Sequence, residues 1–255
     1  MTFPLFDLTG RRALITGSGR GIGLTLAKGL ASHGATIVLS DRDGSVLGDA
    51  VQSFGKASNQ VTSVEFDVTD EKAVAAAVGK IERDMGPIDI LINNAGIVRR
   101  VMLLEENAAN FEDVLRVHVI GSFNVGRAVA THMIGRKRGK IINIASIMSD
   151  IARASTGPYT AAKGALKLLT KTMCAEWGPQ GLNVNAIGPG FLKTELTRAM
   201  HDDAAFNTWL GKRVPQGRWG TPDDLVGAAI FLASPASDFV NGHLLLVDGG
   251  VLSVL

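Results

Sequence analysis

Three residues, Ser146, Tyr159 and Lys163, carry side chains that together could move a proton to or from a substrate. Tyr159 is the only tyrosine among 255 residues, whereas phenylalanine occurs 10 times. Its phenol has an ordinary pKa of about 10, and Lys163, four residues later, would share its helix face. A neighbouring ammonium favours the phenolate, so we predict that Tyr159 is a general acid/base and that Lys163 lowers its pKa. Ser146 would donate a hydrogen bond to the reacting oxygen; the alternative is that Tyr159 is a surface turn residue after Pro158.

Short apolar runs that alternate with segments of helical period predict the scaffold for these residues. The runs predict strands at 12–16, 36–40, 61–66, 88–93, 140–145, 182–187 and 244–247. The intervening segments predict helices at about 22–33, 71–84, 109–136, 158–177, 194–210 and 222–233. Continuous Val, Ile and Leu runs are typical of parallel strands covered on both faces. We therefore predict one α/β domain over residues 1–255, with a doubly wound, parallel, seven-stranded sheet of the Rossmann type.

Composition and charge restrict the possible partners. The net charge of +2 is too small to indicate nucleic acid, and we predict no nucleic-acid partner and no metal site. The single cysteine, Cys174, excludes an internal disulfide and favours a reducing cytoplasm. No segment approaches the ~20 apolar residues of a membrane span, so we expect no membrane association.

A glycine-rich turn, residues 16–23 (TGSGRGIG), lies between the first predicted strand and the first predicted helix. Glycines allow a tight turn there and let backbone N–H groups approach a pyrophosphate, and the helix N-terminus adds about half a positive charge. In this context the turn predicts dinucleotide binding. The predicted cofactor-binding residues of the turn are Gly17, Ser18, Arg20, Gly21, Ile22 and Gly23.

Polar residues that follow the next strands extend the predicted cofactor site. Asp41 could bind the adenosine ribose and would repel a 2′-phosphate, whereas Arg20 and Arg42 would attract one. We favour NAD over NADP on this basis, with a role for Asp41 as a turn or capping residue as the alternative. The remaining predicted contacts are Asp67 and Val68 near the adenine, unless Asp67 caps a helix, and Asn94, Ala95 and Gly96 under a ribose.

Taken together, these motifs resemble the short-chain dehydrogenase/reductase family over nearly the whole chain. The resemblance includes the glycine-rich turn, NNAG at 93–96, Ser146, YTAAK at 159–163 and PGFLKT at 189–194. It implies NAD(P)-linked interconversion of an alcohol and a carbonyl, with Tyr159 as proton donor and acceptor. It also implies that Lys163 holds the nicotinamide ribose, that Ser146 positions the substrate oxygen, and that Pro189, Gly190 and Thr194 hold the nicotinamide end.

One position departs from the family pattern. The family usually has an asparagine in the long helix after the fourth strand, where it helps to hold a proton-relaying water; here the position is His118. Imidazole, with an ordinary pKa of about 6.5, could also relay protons near neutrality. We keep His118 as a candidate catalytic residue, with a purely structural histidine as the alternative.

A narrower resemblance concerns the substrate. Residues 97–100, 191–220 and 237–250 are similar to the gluconate 5-dehydrogenase branch of the family. Arg99 or Arg100 could pair with the carboxylate of such a substrate, although adjacent loop arginines commonly face solvent. That branch tends to carry Gln where this chain has Val98, and Gln-Ser-Glu where it has residues 148–150 (MSD), so the identity of the sugar acid stays open.

The predicted function is therefore an NAD(P)-dependent oxidoreductase that interconverts a secondary alcohol and a ketone on a polar substrate, with gluconate and 5-dehydrogluconate or a related sugar acid favoured. The alternatives are a reductase for 3-oxoacyl chains or other polyols, and a nucleotide-binding protein without chemistry. We expect residues 191–215 to form a substrate lid. The family resemblance also implies a homotetramer; the apolar residues Val114, Val125, Leu168 and Leu169 could face either a partner subunit or the sheet.

Overall fold

Seven parallel strands form one twisted sheet in the computed structural model, which describes residues 5–254. The strands are β1 (Arg12–Thr16), β2 (Thr36–Asp41), β3 (Val61–Glu65), β4 (Ile90–Asn93), β5 (Gly139–Ile144), β6 (Leu182–Pro189) and β7 (Leu244–Val247). Their spatial order is β3-β2-β1-β4-β5-β6-β7. This arrangement confirms the predicted doubly wound α/β fold; the predicted domain limits at residues 1 and 255 lie outside the described residues.

The helices between the strands cover both faces of the sheet. They are α1 (Gly21–Ser32), α2 (Ser45–Gln52), α3 (Glu71–Lys80), α4 (Ala108–Leu115), α5 (Gly121–Gly135), α6 (Gly157–Trp177), α7 (Arg198–His201), α8 (Ala204–Arg213) and α9 (Val226–Ala233). Side chains at most 2% exposed pack α1 and α9 on one face (Leu26, Leu30, Ala229) and α3, α5 and α6 on the other (Val74, Val125, Met173). The described residues contain no helix that is both long enough and apolar enough to cross a membrane.

Several helices differ from the sequence-based expectation. The sequence did not predict α2, which is eight residues long and buries only Leu47 and Ala50. The helix predicted at 109–136 is α4 and α5 joined by a π-helical turn, Arg116–Ile120, which carries His118. The helix predicted at 194–210 is divided between α7 and α8, because the side chain of Asp203 accepts hydrogen bonds from the amides of Ala205 and Phe206 and starts a new helix.

The strand order reverses between β1 and β4, and this reversal creates the crevice in which the candidate site lies. β1 pairs with β2 on one side and with β4 on the other, so the loops after β1 and β4 diverge to opposite faces of the sheet. Ligands of doubly wound sheets bind at this point, beyond the carboxyl ends of the strands. Thr16, the last residue of β1, joins the two loops, because its Oγ1 accepts hydrogen bonds from the amides of Asn94 and Ala95 at 3.0 and 3.1 Å.

Candidate active site

A single cavity of about 440 Å³ at the carboxyl edge of the sheet brings the two halves of the predicted site together. One end is lined by residues of the glycine-rich turn, including Arg20 and Gly21, and the other by Ser146, Tyr159 and Lys163. These three residues come from separate elements: Ser146 follows β5, whereas Tyr159 and Lys163 lie one turn apart in α6. The fold thus places a proton-transfer group and a dinucleotide-type turn in one cavity.

Hydrogen bonds fix Ser146 and Lys163, and Lys163 lies near the Tyr159 ring. Ser146 is 7% exposed, and its Oγ accepts a hydrogen bond from the Met148 amide at 3.1 Å. Lys163 is 4% exposed, its Nζ donates to the carbonyl oxygen of Ile144, and it lies 5.4 Å from the centre of the Tyr159 ring. Since its ammonium is removed from water, burial lowers the pKa of Lys163 to about 7.

The electrostatics of Tyr159 differ from the sequence-based prediction. Burial raises the pKa of the phenol, and the opposing influences come from the Ser146 hydroxyl and then from the positive charge of Arg100. Lys163 is not among the main influences on the pKa of Tyr159; its Nζ donates to the Ile144 carbonyl oxygen and is itself desolvated. Ser146 and Arg100 are therefore the groups that favour the phenolate in this structure.

His118 lies beside Tyr159 but cannot be charged near neutrality. The two rings meet edge to face, 5.4 Å between centres, and His118 is 3% exposed. Its Nε2 lies 2.8 Å from the carbonyl oxygen of Ile97, to which it can donate. Burial, and secondly the charge of Lys163, lowers the pKa of His118 to about 3, so the expectation that this imidazole titrates near neutrality is wrong. A Cβ on Gly96 would lie 2.3 Å from the imidazole Cε1, so the ring occupies space that only glycine leaves free.

The glycine-rich turn is shaped to receive a phosphate group. α1 begins at Gly21 without a side-chain cap, so no side chain pairs with its first N–H groups, and Gly21 and Ile22 line the cavity. The turn is tightly packed behind this opening, since a Cβ on Gly23 would lie 2.5 Å from the Gly17 carbonyl oxygen. Free N–H groups at a helix N-terminus are the feature that dinucleotide-binding turns use for pyrophosphate.

Two of the predicted cofactor residues, Ser18 and Gly23, do not line the cavity, and Asn94 both lines it and supports the turn. The Ser18 hydroxyl is fully buried, donates to the carbonyl of Ile15 at 2.8 Å and accepts from the Ser40 amide at 2.9 Å. The Asn94 side chain donates to the carbonyl oxygens of Thr16 and Gly17, both at 2.9 Å. The predicted residues that do line the cavity are Gly17, Arg20, Gly21, Ile22, Asp41, Arg42, Asp67, Val68, Asn94, Ala95, Gly96, Pro189, Gly190 and Thr194.

Two guanidinium groups, Arg20 and Arg42, line the cavity at the end where the glycine-rich turn lies. In the described part of the chain neither forms an ion pair within 4.0 Å. Both approach Asp43, where hydrogen bonds from Ser45 and, more weakly, these two charges lower the pKa of the exposed carboxyl. Asp41 accepts a hydrogen bond from the Asp43 amide at 3.3 Å. This corner thus holds two guanidinium groups that could pair with a phosphate, together with the carboxylates of Asp41 and Asp43.

The two adjacent arginines considered for substrate binding separate in the structure. Arg99 turns outward, where it forms an ion pair with Asp113 at 2.5 Å and donates to Asn110, and it does not line the cavity. Arg100 lines the cavity near Tyr159, and no carboxylate within residues 5–254 lies within 4.0 Å of its guanidinium. Arg153, which the sequence did not single out, lines the same end of the cavity.

The positions that depart from the gluconate branch fall into two groups. Val98 and Met148 line the cavity and make its substrate end more apolar. Asp150 does not line it and pairs with Lys167; Ser149, which matches the branch, also lies outside the lining and its hydroxyl donates to the Lys163 carbonyl at 2.8 Å. Only the first two substitutions are therefore placed to affect the substrate directly.

Known proteins resemble the chain over its whole length. A family model described as "Enoyl-(Acyl carrier protein) reductase" matches residues 17–252. Gluconate 5-dehydrogenase of Gluconobacter oxydans (strain 621H) is 53% identical over 98% of both chains, and 5-keto-D-gluconate 5-reductase of Escherichia coli (strain K12) is 48% identical over 97% of this chain and 98% of that protein. A crystal structure of a gluconate 5-dehydrogenase from Burkholderia cenocepacia J2315, in complex with NADP and tartrate, is 52% identical, covers 100% of both chains and superposes with a TM-score of 0.97. The chain therefore belongs to the short-chain dehydrogenase/reductase family and is an NAD(P)-dependent oxidoreductase that acts on CH–OH groups.

Proposed function

We propose that the protein interconverts the secondary alcohol and the ketone of a sugar acid, with gluconate and 5-dehydrogluconate as the favoured pair. The observation that carries the proposal is the guanidinium of Arg100, which faces the cavity near Tyr159 without a carboxylate partner among the described residues. A carboxylate on the substrate would supply that partner. The relatives named above, which act on gluconate or 5-ketogluconate by their names, support the same substrate class.

The chain's own residues would handle the proton of this reaction. In the oxidising direction the Tyr159 oxygen would accept the substrate hydroxyl proton, and in reduction it would return that proton. Ser146, which favours the phenolate, would donate a hydrogen bond to the substrate oxygen, where charge changes most. Lys163, whose pKa burial lowers to about 7, could accept or release a proton at neutral pH. His118, uncharged at that pH, would act by holding the Ile97 loop against Tyr159.

The residues of the cavity fit a nicotinamide dinucleotide, and we propose NADP as the preferred one. The cofactor would supply the hydride acceptor or donor. The uncapped start of α1 would hold its pyrophosphate, and Arg20 and Arg42 would pair with a 2′-phosphate. The preference for NAD expected from Asp41 is not supported, because Arg20 and Arg42, which have no ion-pair partner among residues 5–254, line the same cavity and the related Burkholderia structure holds NADP.

A spectrophotometric substrate screen tests the proposed function. Sugar acids, uncharged polyols and 3-oxoacyl compounds would be offered with NADP(H) and with NAD(H). We expect the highest kcat/KM for gluconate or 5-ketogluconate with NADP(H). Equal or better turnover of uncharged polyols or 3-oxoacyl compounds would contradict the sugar-acid proposal, and the absence of any turnover would favour a protein that binds nucleotide without chemistry.

We also propose that residues 191–215 form a lid over the substrate end of one catalytic domain. Phe191, Leu192, Leu196 and Met200 line the cavity from this segment, which supports the proposal. Hydrogen–deuterium exchange of α7 and α8 with and without gluconate would test it, because a closing lid should gain protection.

A homotetramer and a cytoplasmic location remain predictions. The apolar surfaces of Ile120, Phe123 and Leu168 are 47%, 37% and 62% exposed, which supports a helix-mediated subunit contact, whereas Val114 and Val125 are fully buried and Leu169 packs on the core. Light scattering would measure the mass in solution. The free thiol of Cys174 is the feature that favours the cytoplasm.

A further inference from the structure

Arg153 occupies an unusual position for a charged residue. It lies in the segment between Ser146 and α6, half-buried, and lines the end of the cavity that holds Tyr159. Its guanidinium stacks over the Phe206 ring, with Cζ 4.7 Å from the ring centre, and its Nη1 lies 3.1 Å from the sulfur of Met200. The contacts that hold this cation are therefore an aromatic ring and a thioether, both from the segment we propose as a lid.

Neither contact neutralises the charge of Arg153. Within residues 5–254, no carboxylate oxygen lies within 4.0 Å of its guanidinium. Arg100 is similarly unpaired, and the two charges are close enough that Arg153 contributes, after desolvation, to lowering the pKa of Arg100. Two guanidiniums that repel each other across a cavity gain stability when an anion lies between them.

We propose that Arg153 and Arg100 together bind the carboxylate of the substrate, and that Arg153 is a specificity-determining residue for anionic substrates. This inference rests on the proposed sugar-acid function. Arg100 approaches from the loop after β4 and Arg153 from the segment before α6, so a carboxylate held by both is fixed relative to Tyr159 from two sides. Such fixing sets which hydroxyl of a polyhydroxy acid reaches the phenol.

The stacking on Phe206 gives Arg153 a defined orientation before substrate binds. A guanidinium placed flat on an aromatic face keeps its in-plane N–H groups free to donate to a carboxylate. Lysine would retain the charge but not the planar set of donors. Substitution by lysine should therefore preserve only part of the binding.

Isothermal titration of gluconate into the protein saturated with NADPH tests the proposal without requiring turnover. Because hydrogen bonds to charged groups contribute about 1.5–3 kcal/mol, Arg153→Ala should raise the Kd for gluconate about 10- to 100-fold. The Kd of Arg153→Lys for gluconate should lie between that of Arg153→Ala and that of the wild type. The Kd for glucitol, a polyol with the same carbon-chain length as gluconate and no carboxylate, should change less than about 2-fold. Arg99→Ala is the matched control and should behave as wild type, since Arg99 is paired with Asp113 outside the cavity.

Several outcomes would overturn the inference. An unchanged Kd for gluconate in Arg153→Ala would show that no carboxylate pairs there. Equal weakening of gluconate and glucitol, or weakened NADPH binding, would show that the residue only maintains the structure. The proposed function fails separately: wild-type protein that binds gluconate but does not oxidise it would refute the reaction, while the effect of Arg153→Ala on Kd would still decide the binding role.

Discussion

Substitution of His118 by asparagine should change how the stability of the protein depends on pH. In the folded chain burial and the charge of Lys163 lower the pKa of His118 to about 3, whereas in the unfolded chain it should be near its ordinary 6.5. Between these values the unfolded state binds a proton that the folded state does not, so stability falls as the pH falls from about 6.5 to about 3. From about pH 7.5 to pH 4.5, proton binding by His118 in the unfolded state should lower the unfolding free energy of the wild type by about 2.7 kcal/mol.

Urea unfolding of wild type and His118→Asn, at both pH values and one protein concentration, measures this quantity. Other titrating groups are common to both proteins, so they cancel in the difference between them. The wild type should lose about 2.7 kcal/mol more than the variant on acidification. His132→Asn is the matched control, since His132 lies exposed on α5, and it should follow the wild type. Parallel pH dependence of wild type and His118→Asn would refute the reasoning that His118 is buried and neutral.

Three further predictions concern the cavity and the packing of the glycine-rich turn behind it. Arg100→Ala should move the midpoint of the pH–rate profile for alcohol oxidation upward, by up to about 1 unit, because a charge that favours the Tyr159 phenolate is lost; Arg99→Ala should leave the midpoint in place. Arg42→Ala should lower kcat/KM for NADP about 10- to 100-fold and that for NAD less than about 3-fold, and equal losses for both cofactors would contradict phosphate pairing. Gly23→Ala should cost about 1–3 kcal/mol of stability in thermal or urea unfolding, because its Cβ would lie 2.5 Å from the Gly17 carbonyl oxygen; wild-type stability would contradict the close packing of the turn.

The central strands of the sheet were predictable from sequence because they are buried on both faces, whereas the edge strands β3 and β7 are partly exposed. Ile90, Leu91 and Ile92 of β4 are at most 1% exposed, and such continuous apolar runs leave a clear pattern. The short helices leave a weaker pattern in the sequence. α2 buries only two residues, and α7 and α8 form a single helical pattern unless Asp203 is identified as the cap that separates them.

The positions of Ser146, Tyr159 and Lys163 were predictable because the spacing of residues within α6 and the end of β5 determines them. The protonation states of these residues were not predictable from the sequence. The i, i+4 spacing placed Lys163 near Tyr159, but the carbonyl of Ile144 and the charge of Arg100 come from other elements and decide how the two groups titrate. The neutral state of His118 likewise depends on burial by a loop 21 residues away in sequence.

Arg153 left no motif in the sequence. Its orientation depends on contacts with Met200 of α7 and Phe206 of α8, which lie some fifty residues away along the chain. Asp150, three residues before Arg153, could have been its partner, and only the folded structure shows that Asp150 pairs with Lys167 and that Arg153 lacks a carboxylate partner among the described residues.

The single-turnover rate of NADPH formation from gluconate, compared between wild type and Tyr159→Phe, most directly tests whether the Tyr159 phenol transfers the proton. The phenylalanine ring preserves the packing against His118 and removes only the hydroxyl. The rate should fall at least about 100-fold, as expected for loss of a general acid/base, while the Kd for NADPH changes less than about 2-fold. A variant that forms NADPH within about 5-fold of the wild-type rate would contradict the proton-transfer role of Tyr159.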